Sequence, residues 1–297
     1  VTAAGVPPVV AGVDGSAGAA RAVAFAVEEA RLREAPLLLV SALSWPTTDF
    51  PVPPLSDVDV PGVLQTNAET VLRAAAEGAE AALGAGRVRW QVDERDPVDA
   101  LRAAGTGAQL VVVGARGAGG VAGLLLGSTA TALALDAPCP VVVLPDDTAA
   151  LVTGRRSVVA GVEGRPGDEA VLAFAFAEAA ARGTDLVAVH AWRDVALEPS
   201  LQSLGPLVDW VGVAADEQRL LAEALAGWRD RHPDVEVREV VVRERTAAAV
   251  VAAGLTAHLV VVGHRRRRLA RLGSTTHAVL HRAGCPVAVV PLTGGAR

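Results

Sequence analysis

The feature that most constrains this chain is that it is written twice. Ala11-Gly12-Val13-Asp14-Gly15 recurs as Ala160-Gly161-Val162-Glu163-Gly164, and Leu110-Val111-Val112-Val113-Gly114 recurs as Leu259-Val260-Val261-Val262-Gly263, both at an offset of 149 residues. The two blocks keep their separation in both copies, which chance apolar runs would not reproduce. The chain is therefore a tandem duplication, and in 297 residues each half is long enough to bury its own core. The expected domains run over 1–147 and 155–297.

Within each copy the apolar residues fall in short Val-rich segments: Val9 to Val13, Leu37 to Ala42, Val88 to Val92, Leu110 to Val113 and Val141 to Leu144, then Ser157 to Val162, Asp185 to Ala191, Glu236 to Val242, Leu259 to Val262 and Val287 to Val290. Continuous rather than alternating hydrophobicity means that both faces are covered, as in a parallel sheet between helix layers. Helix-period stretches lie between them. Ser16 is placed to cap a helix whose apolar face is Val23, Ala26, Val27 and Ala30, and further helices fit Val63 to Leu83, Pro97 to Gly105 and Ser128 to Asp136. This alternation predicts an α/β fold of two Rossmann-like domains, each a doubly wound five-stranded parallel sheet with helices on both faces. The prolines at 46, 51, 53, 54 and 61 exclude regular helix over Pro46 to Pro61, a stretch equally suited to a lid over the strand ends and to a loop without a role.

Composition removes several functions. All 27 basic residues are arginine, so neither the lysine of a P-loop nor Schiff-base chemistry is available. Residues 1–149 carry 9 Arg against 17 acids and the remainder 18 Arg against 16, which argues against a general nucleic-acid surface. The one basic cluster, Arg265 to Arg268 with Arg271, has no interleaved aromatics and reads as a solvated helix face. No apolar run is long enough for a membrane span, and no basic segment followed by an apolar stretch opens the chain; a soluble cytoplasmic protein is expected. Cys139 and Cys285 stand at equivalent places without local partners and read as buried free thiols.

Ligands of such sheets sit beyond the carboxyl ends of the strands, where the strand order reverses. Gly12, Val13 and Asp14 end one strand there, and Val113 and Gly114 another. Gly114, Gly117 and Gly127 offer positive-φ conformations and close approach of amides to an anion, while the helix opened by Ser128 and Thr129 adds partial positive charge. Asp14 is an acceptor for a ribose hydroxyl or an amino group. The bland alternatives are a helix cap for Asp14 and a tight strand-to-helix turn for the glycines. Together, one acceptor and a spaced glycine set fit a nucleotide better. His277 and His281, four apart on a helix, lack a third ligand nearby, and His190 reads as a packed core residue. No catalytic residue and no metal site is assigned.

At these residues the chain resembles the universal stress protein family in its tandem form. The family's ATP-binding pattern is Gly, two residues, Gly, nine residues, then Gly-Ser or Gly-Thr. Here it stands as Gly114, Gly117, Gly127-Ser128, supported by Val13-Asp14 and by Ala137-Pro138-Cys139-Pro140 before the last strand. The resemblance implies a domain of adenine-nucleotide α-hydrolase type that binds ATP, with or without Mg. Gly12, Val13, Asp14 and the backbone at Val40 would lie near adenine and ribose, and Val113, Gly114, Arg116, Gly117, Gly127, Ser128 and Thr129 along the ribose and phosphates. It also implies a homodimer paired through a terminal strand, Val141 to Leu144 or Val287 to Val290, and a role in stress response through a regulatory partner. An adenylating or ATP-hydrolysing enzyme of the same group and a ligand-free adaptor are the alternatives.

The second copy departs from the pattern. Glu163 replaces Asp14, Arg266 stands at the place of Gly117, and Gly273-Ser274 arrives three residues early. ATP is therefore expected in the first half, and weakly or not at all in the second.

Overall fold

The computed structural model describes residues 5–43, 59–119, 126–146, 157–165, 167–192, 209–265 and 272–292. The chain divides into two compact units, Val1–Asp146 and Asp147–Arg297. In the first, the order is β1 (Val9–Gly12), α1 (Ala17–Leu32), β2 (Leu37–Ala42), α2 (Val60–Leu83), β3 (Val88–Asp93), α3 (Pro97–Gly105), β4 (Leu110–Gly114), α4 (Ser128–Asp136) and β5 (Val141–Leu144). The strands lie β3-β2-β1-β4-β5 and every pairing is parallel. In the second, β6 (Ser157–Gly161), α5 (Asp168–Arg182), β7 (Asp185–Trp192), α6 (Trp210–Arg231), β8 (Val237–Arg243), α7 (Thr246–Gly254), β9 (Ala257–Arg265), α8 (Ser274–Arg282) and β10 (Val287–Leu292) repeat that plan, with strand order β8-β7-β6-β9-β10. Helices pack in pairs, α1 with α2, α3 with α4, α5 with α6 and α7 with α8.

Local chemistry explains most of these boundaries. Ser16 caps α1 by accepting the Ala19 N–H at 3.1 Å. Asp96 caps α3 by accepting those of Val98 and Asp99, with Pro97 just inside the helix where no N–H partner is needed. The same rule corrects the expected start of α2. The helix begins at Val60, and Pro61 is accommodated in its first turn behind the Asp59 cap rather than excluded from it. The rest of the proline-rich stretch, 44–58, lies outside the described residues, as does 147–156 between the units. The core face of α1 is also rotated from the periodic reading. Ala22, Ala26 and Ala30 are fully buried, whereas Val23 and Val27 are half-buried on the flank, because the small residues let the helix approach the sheet.

Each unit also buries an ion pair at the same repeat position. Glu29 is salt-bridged to Arg33 within α1 at 3.0 Å, and Glu178 to Arg182 within α5. Both glutamates are almost fully buried. Among the described residues no helix is long and apolar enough to cross a membrane.

Cys139 and Cys285 are free and buried. Burial pushes the Cys139 thiol up to about 11, so it stays protonated and shielded at ordinary pH. The folded protein is expected to leave Cys139 unlabelled by iodoacetamide at pH 8 and to expose it only on denaturation, which peptide mass spectrometry would show.

Candidate functional site

The order of the first sheet reverses between β1 and β4, and a cavity of about 590 Å³ opens beyond their carboxyl ends. All eleven residues singled out from the sequence line it: Gly12, Val13 and Asp14 after β1, Val40 on β2, Val113, Gly114, Arg116 and Gly117 at and after β4, and Gly127, Ser128 and Thr129 at the start of α4. Its volume is within the ~300–1,000 Å³ of small-molecule sites. One end is apolar, formed by Val40, Ala42, Pro97 and Leu101, and the other is the glycine loop with Asp14.

The glycines act through space rather than through unusual backbone. The sequence reading expected positive φ at Gly114, Gly117 and Gly127, but among the cavity glycines none of these three has it; Gly127 sits at φ −77°. A Cβ on Gly114 would come within 2.8 Å of the Gly18 carbonyl carbon, and one on Gly18 within 2.5 Å of the Arg116 oxygen, so α1 and the strand end meet backbone to backbone. A Cβ on Gly117 would lie 2.3 Å from Asp14 Oδ2. Positive φ occurs instead at Gly15, φ 80°, in the turn after Asp14. The Gly127 N–H donates to the Ala115 oxygen at 2.7 Å and closes the neck of the loop. Gly127 gives α4 no side-chain cap, so the first-turn amides of that helix meet the cavity with their partial positive charge.

Asp14 accepts the Ser16 N–H at 3.0 Å and the Ala118 N–H at 2.7 Å. Its carboxylate thus ties the β1 turn to the glycine loop. Arg116 is held by Asp146, at the end of β5, through its Nε, and Asp146 also takes Arg21 Nη2 at 2.9 Å. Two guanidinium groups thus share one carboxylate beside the loop. Sequence reasoning missed Ser16, Ala19, Ala42, Pro97, Leu101, Ala115, Ala118, Gly119 and Ala130, which also line the cavity. Ala118 and Ala130 adjoin the motif. Pro97 and Leu101 carry no motif at all and reach the site only because α3 packs against β1 and β2.

The corresponding strand end in the second unit is built differently. A Cβ on Gly263 would meet Leu292 at 2.9 Å and Val171 at 3.0 Å, side chains rather than a neighbouring backbone. β9 continues to Arg265, paired with Leu292, where β4 has already turned away into its loop. The Thr276 hydroxyl donates to the Gly263 oxygen at 3.1 Å, bridging α8 to the strand end. Glu163 is exposed and lies 4.0 Å from Arg265. Arg266 to Arg268 and Arg271 lie outside the described residues.

The remaining candidates are structural. His190 is buried at the end of β7, its Nδ1 donating to the Val162 oxygen at 2.9 Å and its Nε2 2.7 Å from Glu217. His277 and His281 pack against each other on α8 with ring centroids 4.3 Å apart and planes tilted by 40°, and burial, with His277 beside it, holds His281 below the usual histidine range. Among the described residues no group of three or more His, Cys, Asp or Glu is placed to hold a metal.

Comparison with known proteins assigns the chain. The family model described as the universal stress protein family matches residues 6–145 and again 154–291. A universal stress protein of Mycobacterium tuberculosis (strain ATCC 25618 / H37Rv) is 37% identical over 289 residues, covering 95% of this chain and 96% of its own. One from Mycolicibacterium smegmatis is 36% identical over 288 residues, covering 95% and 96%. The crystal structure of a universal stress protein from Archaeoglobus fulgidus shares the fold, with a TM-score of 0.69 at 20% identity over 96% of this chain and 98% of that one. With the family model matched in both halves and relatives matched end to end, the chain belongs to the universal stress protein family and carries two of its domains in tandem.

Proposed function

We propose that the first domain, residues 1–147, binds ATP and that the chain is a cytoplasmic regulatory protein of the stress response whose signal is nucleotide occupancy. The observation that carries this reading is the cavity at the β1/β4 reversal, where the spaced glycines, Asp14 and the uncapped start of α4 converge on one space. Val40, Ala42, Pro97 and Leu101 suit an adenine ring. The loop amides, the α4 terminus and Arg116 suit phosphates without any lysine. Gly114 and Gly117 fit the same group, since a side chain at either would enter space already taken by backbone or by Asp14. Mg would enter with the phosphates. No side chain at the phosphate end is an evident general base, so hydrolysis is at most slow.

The second domain, residues 155–297, binds ATP weakly or not at all, and pairing through a terminal strand joins chains as a homodimer. Mass spectrometry of nucleotide released from the purified protein is expected to give close to one ATP per chain; none, or two, overturns the reading. Asp14→Ala removes an acceptor facing the ligand and the tie to Ala118, and calorimetry should show ATP affinity falling roughly 10- to 100-fold, the worth of one charge-assisted hydrogen bond. Unchanged affinity would take Asp14 out of the site, and no ATP binding by the unaltered chain would favour a ligand-free adaptor. Pyrophosphate release from ATP on addition of a carboxylate substrate would favour an adenylating enzyme.

A further inference from the structure

Asp168 is a buried acid at the turn that follows β6. It opens α5 and is only 6% exposed, and its Oδ2 accepts the N–H groups of Glu163 at 2.9 Å and Arg165 at 3.1 Å. Burial pushes its carboxyl up, and the N–H groups of Arg165, Gly164 and Glu163 oppose that shift. The turn after β6 is therefore a small anion-binding nest with a carboxylate already in it.

The repeat locates that nest. From Ala11 and Ala160 onward the copies align without a gap, so Asp168 stands where the first domain has Ala19, and Ala19 lines the nucleotide cavity. A second exchange accompanies it. Matching Cys139-Pro140 to Cys285-Pro286 sets Leu292 at the place of Asp146. In the first domain that carboxylate stands behind Arg116 and holds it. In the second, Leu292 packs on Gly263, and Arg265, at the place of Arg116, has Glu163 4.0 Å away. The carboxylate that stands behind the arginine in the first domain is replaced by Leu292 in the second, and a buried carboxylate stands instead where the first domain presents Ala19 to its cavity.

We infer that Asp168 is the specificity-determining residue that closes the second domain to nucleotides, acting as an internal anion in place of a ligand. A nucleotide entering there would meet a buried, poorly solvated carboxylate where the first domain presents the methyl of Ala19. The inference rests on the reading that the first domain binds ATP through its cavity.

The test moves the acid between copies in the full chain, with ATP as the probe. Ala19→Asp is expected to weaken ATP binding by roughly tenfold or more, and Ala19→Asn, of the same size without charge, to weaken it less; thermal melting reports whether each variant folds. In the other direction, Asp168→Ala is expected to add a second, weaker equivalent of ATP in equilibrium dialysis at millimolar nucleotide. Wild-type affinity in folded Ala19→Asp, equal losses in the Asp and Asn variants, or one equivalent in Asp168→Ala would each overturn the inference. Failure of the underlying reading looks different: the unaltered chain would bind no ATP at all.

Discussion

Gly114→Ala is expected to abolish ATP retention and to lower stability by roughly 1–3 kcal/mol, the usual cost of overpacking a closed contact. The new methyl would stand 2.8 Å from the Gly18 carbonyl carbon and 3.0 Å from its Cα and oxygen, all backbone that a rotamer change cannot move. Relief requires α1 to lift from the end of β4. That movement separates the Asp14 turn from the glycine loop, so the two halves of the cavity no longer face one ligand. Chemical denaturation gives the stability change and calorimetry the affinity; a stable variant that binds ATP normally would show that the close approach is incidental. Gly263→Ala is the instructive contrast, because its methyl would meet the ends of Leu292 and Val171, which can shift.

Arg182→Ala is expected to cost roughly 3–5 kcal/mol, the range for breaking a buried ion pair by removing one partner. Arg182 and Glu178 are 7% and 2% exposed as side chains and face one another across one turn of α5. Truncation removes the guanidinium and leaves the Glu178 carboxylate in a poorly solvated place. Replacing both residues with Leu and Met should cost much less than the single change, since no charge then stays buried. Urea unfolding of the two variants checks this, and equal losses would mean that packing of the arginine stem, not its charge, is what matters.

The parallel sheets were legible because Val-rich runs such as Leu110 to Val113 have no polar face, and a strand buried on both sides needs none. Helix starts were legible at Ser16, where a cap residue marks one, and at Pro97, where a first-turn proline opens another. The start of α2 was not, because proline in a first turn and proline that breaks a helix look alike in sequence until Asp59 is seen capping the turn. The extent of β9 was not either. His264 and Arg265 look polar enough to end a strand, yet His264 is buried and both pair with β10.

By itself the sequence determined the duplication, the α/β plan of each half and the eleven cavity residues that sit on or beside the motif and the strand ends, since repeat spacing, apolar runs and glycine spacing are properties of order along the chain. Only the tertiary structure decided how the glycines work. They were expected to supply positive φ, and they supply clearance for Gly18 and Asp14, because contact distance depends on residues far apart in sequence. It also decided that α3 contributes Pro97 and Leu101 to the site, and that Leu292, Thr276 and Asp168 contact the strand end and the turn at the corresponding place in the second copy. Those three differ from the first copy in sequence too, but what such a substitution does to the strand end is visible only when the partners of its side chain are, because those partners lie far apart along the chain.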